Sequence, residues 1–69
     1  MSSFFDIGYN AFKNNEACIP SMNANLQCAM ADVYARNNHE EIMQSLREFI
    51  DGVNKAQKEW EVEFFANAD

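Results

Sequence analysis

The side chains in this sequence that could be combined into a zinc site are Cys18, Cys28 and His39, together with Asp32. Structural zinc sites use short Cys-x-x-Cys arms, and the two cysteines are too widely spaced to form one. His39 falls in the first turn of a predicted helix, where the positive end of the helix disfavours a charged imidazole. We therefore predict no metal and no cofactor, and we interpret His39 as a surface or capping residue rather than a general base.

The sequence also lacks the other common catalytic patterns. It contains no Gly-rich phosphate loop and no serine elbow, and a bundle of 69 residues has little volume for a dry pocket holding paired acids. In a cytosolic protein the two cysteines are expected to be reduced, semi-buried thiols rather than a disulfide. We predict that the protein is not an enzyme.

The longest element that could position functional side chains is a helix predicted over about 39–65. Asn38 followed by Glu41 forms a capping box at its start. Apolar or small residues then recur along one helix face, at Ile42, Leu46, Phe49, Val53, Ala56, Trp60 and Phe64. Gly52 could kink this helix, and the segment EWEVEF alternates as a strand would. No other segment alternates to pair with such a strand, so we predict a helix throughout.

Two shorter helices are predicted upstream, at about 4–14 and 22–36, joined by a linker at about 15–21. Pro20 lies in that linker and directs the preceding residue out of the helical region, and Ser21 could cap the second helix. The first helix is apolar around most of its circumference. Such a helix is either buried between two others or in contact with a partner.

These elements predict an all-α fold, a small three-helix bundle that forms a single domain over 1–69. The very short link between the second and third helices makes them antiparallel neighbours. The segments FDIGYNA and FIDGVNKA share an aromatic residue, a glycine and an alanine at similar offsets, a similarity that helical periodicity alone could produce.

The charge of the chain argues against nucleic acid and membranes as direct partners. Eleven acidic residues against five basic ones give a net charge of −6, and the acids are concentrated in the C-terminal half. No basic stripe is present to neutralise phosphates, and no apolar run approaches the roughly 20 residues of a membrane span. We predict a cytoplasmic protein, in a bacterial or phage-infected host cell.

Aromatic residues are the feature that most favours a function, because they exceed what so small a core would bury and aromatic side chains are enriched in protein interfaces. The candidate partner-binding residues combine aromatics from both ends of the chain with neighbouring acids: Phe4, Phe5, Tyr9, Glu59, Trp60, Glu61, Glu63 and Phe65. The alternative for Trp60 and Phe64 is that they cover the first helix at one end of the bundle.

Residues 8–23, GYNAFKNNEACIPSMN, resemble the opening of the ribosome modulation factor family, in which Gly-Tyr-x-Ala begins a helix and a link containing proline follows. Phe49, Gly52 and Ala56 are similar to a later aromatic-x-x-Gly-x-x-x-Ala pattern of that family. The resemblance implies a small protein of bacteria or their phages.

The sequence leaves three functions open. The first is a small acidic protein-binding module, such as a phage or mobile-element inhibitor of a host nucleic-acid-handling or defence enzyme. The second is a homodimeric structural or assembly protein. The third, implied by the resemblance alone, is a ribosome-associated protein.

Overall fold

The computed structural model describes residues 3–66, and this part of the chain is helical and contains no strand. Helix α1 spans Phe4–Lys13, α2 spans Ala24–Arg36 and α3 spans His39–Ala66, with a 3-10 turn at Pro20–Met22 before α2. The predicted all-α three-helix fold is confirmed. Helix α3 runs without interruption through Gly52 and the alternating segment that follows it. None of these helices is both long enough and apolar enough to cross a membrane.

Helices α1 and α3 begin where the sequence predicts, because a polar side chain caps each start. The Ser3 hydroxyl accepts a hydrogen bond of 3.1 Å from the Asp6 amide, and Asn38 Oδ1 accepts one of 3.2 Å from the Glu41 amide. The Glu41 carboxylate does not reach back to complete a capping box. It accepts hydrogen bonds from the Arg36 guanidinium instead, which ties the end of α2 to the start of α3.

Helix α2 begins two residues later than predicted, at Ala24, because Asn23 rather than Ser21 is its cap. The Asn23 side chain is buried, and its Oδ1 accepts a hydrogen bond of 2.9 Å from the Leu26 amide. Its Nδ2 donates a bond of 2.7 Å to the Ala17 carbonyl. One side chain therefore both starts α2 and fixes the linker, since a buried amide needs partners for both of its ends.

Helices α1 and α3 approach each other closely at a crossing that is made by Gly8 and Gly52. A Cβ atom on Gly8 would clash with the Phe49 carbonyl group, and one on Gly52 would clash with the Phe5 carbonyl group. Both obstacles are backbone atoms, which cannot move aside as a flexible side chain can. Only glycine therefore permits this approach.

The crossing is also nearly symmetric. Each glycine meets the carbonyl of the phenylalanine that precedes the other glycine by three residues. Residues near the start of α1 thus meet the middle of α3, and Tyr9 further along α1 reaches Glu59 further along α3. The two helices therefore run in the same direction, with α2 returning antiparallel between their ends.

The core of the described residues is small. The buried apolar residues are Ala11, Leu26, Met30, Val33, Phe49 and Ala56, and only Phe49, Leu26 and Met30 among them are large and fully buried. Domains of this size have little stability to spare, so additional burial against another molecule would stabilise the fold.

The molecule is elongated, with extents of 50 × 21 × 20 Å. Its accessible surface of 5089 Å² exceeds the about 4,400 Å² typical of a folded monomer of 7.9 kDa. Its radius of gyration of 13.5 Å likewise exceeds the about 11 Å of a compact chain of 69 residues. Both differences arise from a long helix whose two shorter neighbours cover only part of it.

Candidate protein-binding surface

The last two turns of α3 extend beyond the helices that cover its upstream part. Helix α1 ends at Lys13, and its last turn lies beside Gln57 and Trp60 across an open groove of about 720 Å³. Residues 60–66 continue past this point, and all of them except Glu61 are exposed. We refer to residues 60–66 as the overhang.

The overhang carries a cluster of exposed aromatic rings. The Trp60 and Phe64 rings stack, with centroids 5.2 Å apart and planes 22° apart, and Phe64 meets Phe65 edge-on with centroids 5.5 Å apart. Despite these contacts the three residues are 51%, 54% and 70% exposed, respectively. We refer to Trp60, Phe64 and Phe65 as the aromatic cluster.

Trp60 and Phe64 continue the stripe that forms the core upstream. They follow Phe49 and Val53 along the same side of α3, at the spacing of successive helix turns. Phe49 is fully buried and Val53 packs against the core cluster, whereas Trp60 and Phe64 downstream are more than half exposed. The apolar stripe of α3 therefore continues beyond the part of the helix that α1 and α2 cover.

The groove beside Trp60 gives this surface depth as well as area. It is lined by Phe12 at the end of α1 and by the half-buried Cys18 of the linker, together with polar residues at its edge. A partner side chain that stacks on Trp60 would therefore also meet an apolar wall. Such a pocket next to an exposed aromatic ring is typical of surfaces that bind other proteins.

The predicted partner-binding residues of α1 make contacts within the molecule. Phe4 packs against the core cluster, and the half-buried Phe5 stacks on Tyr9 with ring centroids 6.5 Å apart. The Phe5 carbonyl is also the atom that Gly52 approaches. The structure therefore divides the predicted set of residues between the α1–α3 contact and the overhang, and does not join the set into one patch.

Tyr9 links the two helices through Glu59. The Tyr9 hydroxyl donates a hydrogen bond of 2.5 Å to Glu59 Oε2, and Lys13 Nζ lies 5.3 Å from the centre of the Tyr9 ring. The hydrogen bond to Glu59 raises the pKa of the Tyr9 hydroxyl, and partial burial and the negative charge of Glu59 add to the effect. Lys13 opposes it. Glu59, one of the acids predicted to bind a partner, therefore forms a hydrogen bond within the molecule.

Glu61 and Glu63 accompany the aromatic cluster but face different directions. Successive helix residues are about 100° apart, so residues two positions apart lie on nearly opposite sides. Glu61 accepts a hydrogen bond of 3.4 Å from Gln57, whereas Glu63 lines a second groove on the far side of α3 from Trp60. The acids therefore border the cluster on two sides without forming a continuous carboxylate row.

The second groove lies between α1 and α3 and brings together basic residues that the sequence shows as scattered. Lys13 of α1 meets Lys55 and Lys58 of α3 there, in an open groove of about 720 Å³ that also contains Val62 and Glu63. The Arg36–Glu41 contact is the only ion pair among residues 3–66, so these three lysines have no acidic partner in the described chain. We refer to this feature as the lysine groove.

The residues with catalytic or metal-binding chemistry do not converge. In the described part of the chain no three His, Cys, Asp or Glu side chains are grouped so that they could hold a metal ion. His39 is exposed at the start of α3. Cys18 is half-buried and Cys28 is exposed, contrary to the expectation that both are semi-buried, and both are free thiols.

Two parts of this arrangement, the lysine groove and the glycine crossing, were not predicted from the sequence. The lysine groove escaped notice because its members lie on two helices, so only the crossing of those helices brings them together. The crossing itself had a signal, since Phe5-x-x-Gly8 and Phe49-x-x-Gly52 repeat one pattern. Helical periodicity alone could also produce that pattern. The contact of each glycine with the backbone of the other helix shows that here the pattern marks the crossing of α1 and α3.

No protein-family model matches this chain, and no curated protein or solved structure shows significant similarity to it. The resemblance to the ribosome modulation factor family remains a prediction.

Proposed function

We propose that this chain is a non-enzymatic protein-binding module, and that the overhang of α3 is the helical ligand it presents to another protein. The observation that carries the proposal is the exposure of Trp60 and Phe64 on the stripe that is buried upstream. Amphipathic helices bind apolar grooves of partner proteins through residues spaced four apart on one face. Trp60 and Phe64 have this spacing and are already stacked.

The chemistry of the surface favours one class of partner. An apolar groove would take the aromatic cluster, and a basic rim on that groove would complement Glu61 and Glu63 and the net charge of −6. A nucleic-acid-handling or defence enzyme of a bacterial host has such basic surfaces. On this proposal the protein is a cytoplasmic inhibitor, encoded by a phage or another mobile element, that occupies one of them.

Affinity capture from bacterial lysate with matched variants tests the proposal. The binding variant is Trp60→Ala/Phe64→Ala, and the control is Met43→Ala/Ile50→Ala, which removes two exposed apolar residues from the covered half of α3. We expect wild type and control to retain the same protein, and the binding variant to lose it. Higher salt should weaken capture, because the charged rim is solvent-exposed.

Calorimetry with the captured protein then measures the contribution of each ring. Aromatic hot-spot residues contribute about 2 kcal/mol or more, so Trp60→Ala should weaken binding by about thirtyfold. Phe5→Ala should leave the affinity unchanged, because Phe5 stacks within the molecule. If Trp60→Ala/Phe64→Ala folds and still captures everything that wild type captures, the proposal is wrong.

A further inference from the structure

The lysine groove is the second unpartnered feature of the molecule, and it lies on the opposite side of α3 from Trp60 and Phe64. Val62, which lines this groove, is about 200° around the helix from Trp60 and is 65% exposed. An occupant of this groove would therefore leave Trp60 and Phe64 free. The inference that follows goes beyond the proposed function and does not depend on it.

The charges of the groove are arranged with opposite signs at its two ends. Lys55 and Lys58 line its upstream part, and Glu59 and Glu63 line its downstream part, with Val62 between the two acids. None of these lysines forms an ion pair within residues 3–66. Exposed cations next to an apolar side chain favour an acidic, partly apolar segment as the occupant.

The chain itself contains such a segment, namely the end of α3, where Val62 and Glu63 line the groove. When two copies of α3 lie antiparallel across the groove, the lysine end of each meets the glutamate end of the other. A parallel arrangement would place lysines against lysines. The charge pattern is therefore self-complementary under a two-fold axis, as an isologous dimer requires.

We propose that two copies of this chain associate through the lysine groove, with their α3 helices antiparallel and crossing near residue 60. Lys55 and Lys58 of one copy then face Glu63 of the other, and the two Val62 side chains lie close to the axis.

Charge reversal gives a test in which two defective variants restore each other. In a dimer of Lys58→Glu the new glutamate faces Glu63 of the second copy, and in a dimer of Glu63→Lys the new lysine faces Lys58. Each repulsion occurs twice because of the symmetry, so we expect each variant to associate about tenfold or more weakly than wild type. In an equimolar mixture both contacts become attractive, and association should return.

Sedimentation equilibrium at about 0.15 M ionic strength measures these effects. Controls with the same change of net charge are Arg47→Glu for the first variant and Glu40→Lys for the second, since neither residue lines the groove. Wild type should pass from 7.9 kDa to twice that mass as its concentration rises, and both controls should follow it.

Two results would overturn the inference. One is a wild-type protein that stays monomeric up to millimolar concentration, which would leave the groove to an acidic segment of another protein. The other is a mixture of Lys58→Glu and Glu63→Lys that associates no better than either alone. Trp60→Ala/Phe64→Ala should dimerise as wild type does, so failure of this inference and failure of the proposed function are distinguishable.

Discussion

The upstream and downstream halves of α3 carry the same helical stripe but have opposite surroundings. Phe49 is fully buried, whereas Phe64, on the same side of the same helix, is 54% exposed. The difference lies in whether α1 and α2 reach far enough to cover the stripe. A periodic pattern thus defines an apolar face, while the lengths of the neighbouring helices decide whether that face becomes core or contact surface.

The sharpest test of this contrast removes the same side chain from each half. Phe49→Ala should lower the free energy of unfolding by about 3–5 kcal/mol, because it leaves a cavity in the core. Phe64→Ala should change it by no more than about 0.5 kcal/mol, as expected for an exposed residue. Urea-induced unfolding followed by circular dichroism measures both. If both variants lost a similar free energy of unfolding, the two halves of α3 would not differ in burial as described.

The glycine crossing fixes where the covered half of α3 lies. Its test is whether replacing a glycine by alanine raises or lowers the free energy of unfolding. Helix propensity alone predicts that Gly8→Ala stabilises α1 by about 1 kcal/mol. The clash with the Phe49 carbonyl predicts a loss of about 1–3 kcal/mol or more. We expect the loss, for Gly8→Ala and Gly52→Ala alike, in thermal or urea unfolding. A stabilised variant would show that the helices do not approach so closely.

The smallest predicted effect concerns the boundary between the two halves, where Tyr9 binds Glu59. The raised pKa of Tyr9 means that this contact stabilises the fold while the phenol is protonated, below its usual pKa of about 10. The stabilisation is lost as the pH rises through the higher pKa of the folded state. Wild type should therefore lose stability in that alkaline range, relative to Tyr9→Phe.

Spectroscopic titration of the phenol checks the cause directly. In a Tyr34→Phe background, Tyr9 is the tyrosine that remains. Glu59→Gln should lower the pKa of Tyr9, whereas Glu61→Gln removes an equal charge two residues away and should have little effect. Identical titration curves for the Tyr34→Phe protein with and without Glu59→Gln would mean that the hydrogen bond does not form in solution.

Much of the fold could be predicted from the sequence because its determinants are local. Asn38 caps α3 as predicted, and the apolar stripe predicted the length of α3. The start of α2 could not be placed in the same way. It depends on Asn23 binding the carbonyl of Ala17, which is a contact between the helix and the linker that folds against it.

The candidate site was less accessible to sequence reasoning, because exposure depends on where other helices end. Trp60 has the spacing of a core residue, and Phe64 lies one helix turn beyond it. Whether they are covered depends on α1 ending at Lys13 and running in the same direction as α3. Phe5 and Tyr9, which are also predicted contact residues, lie beside α3 at the glycine crossing.

The reciprocity of the crossing restricts how this sequence can change. Phe5 and Phe49, like Gly8 and Gly52, are 44 positions apart, and each glycine faces main-chain atoms rather than the other glycine. Enlarging one of them cannot be offset by shrinking anything opposite, because a carbonyl group has no smaller replacement. The two positions are therefore independent requirements without second-site rescue. A homologue with the same helix arrangement would retain glycine at both positions even where the remaining residues had diverged.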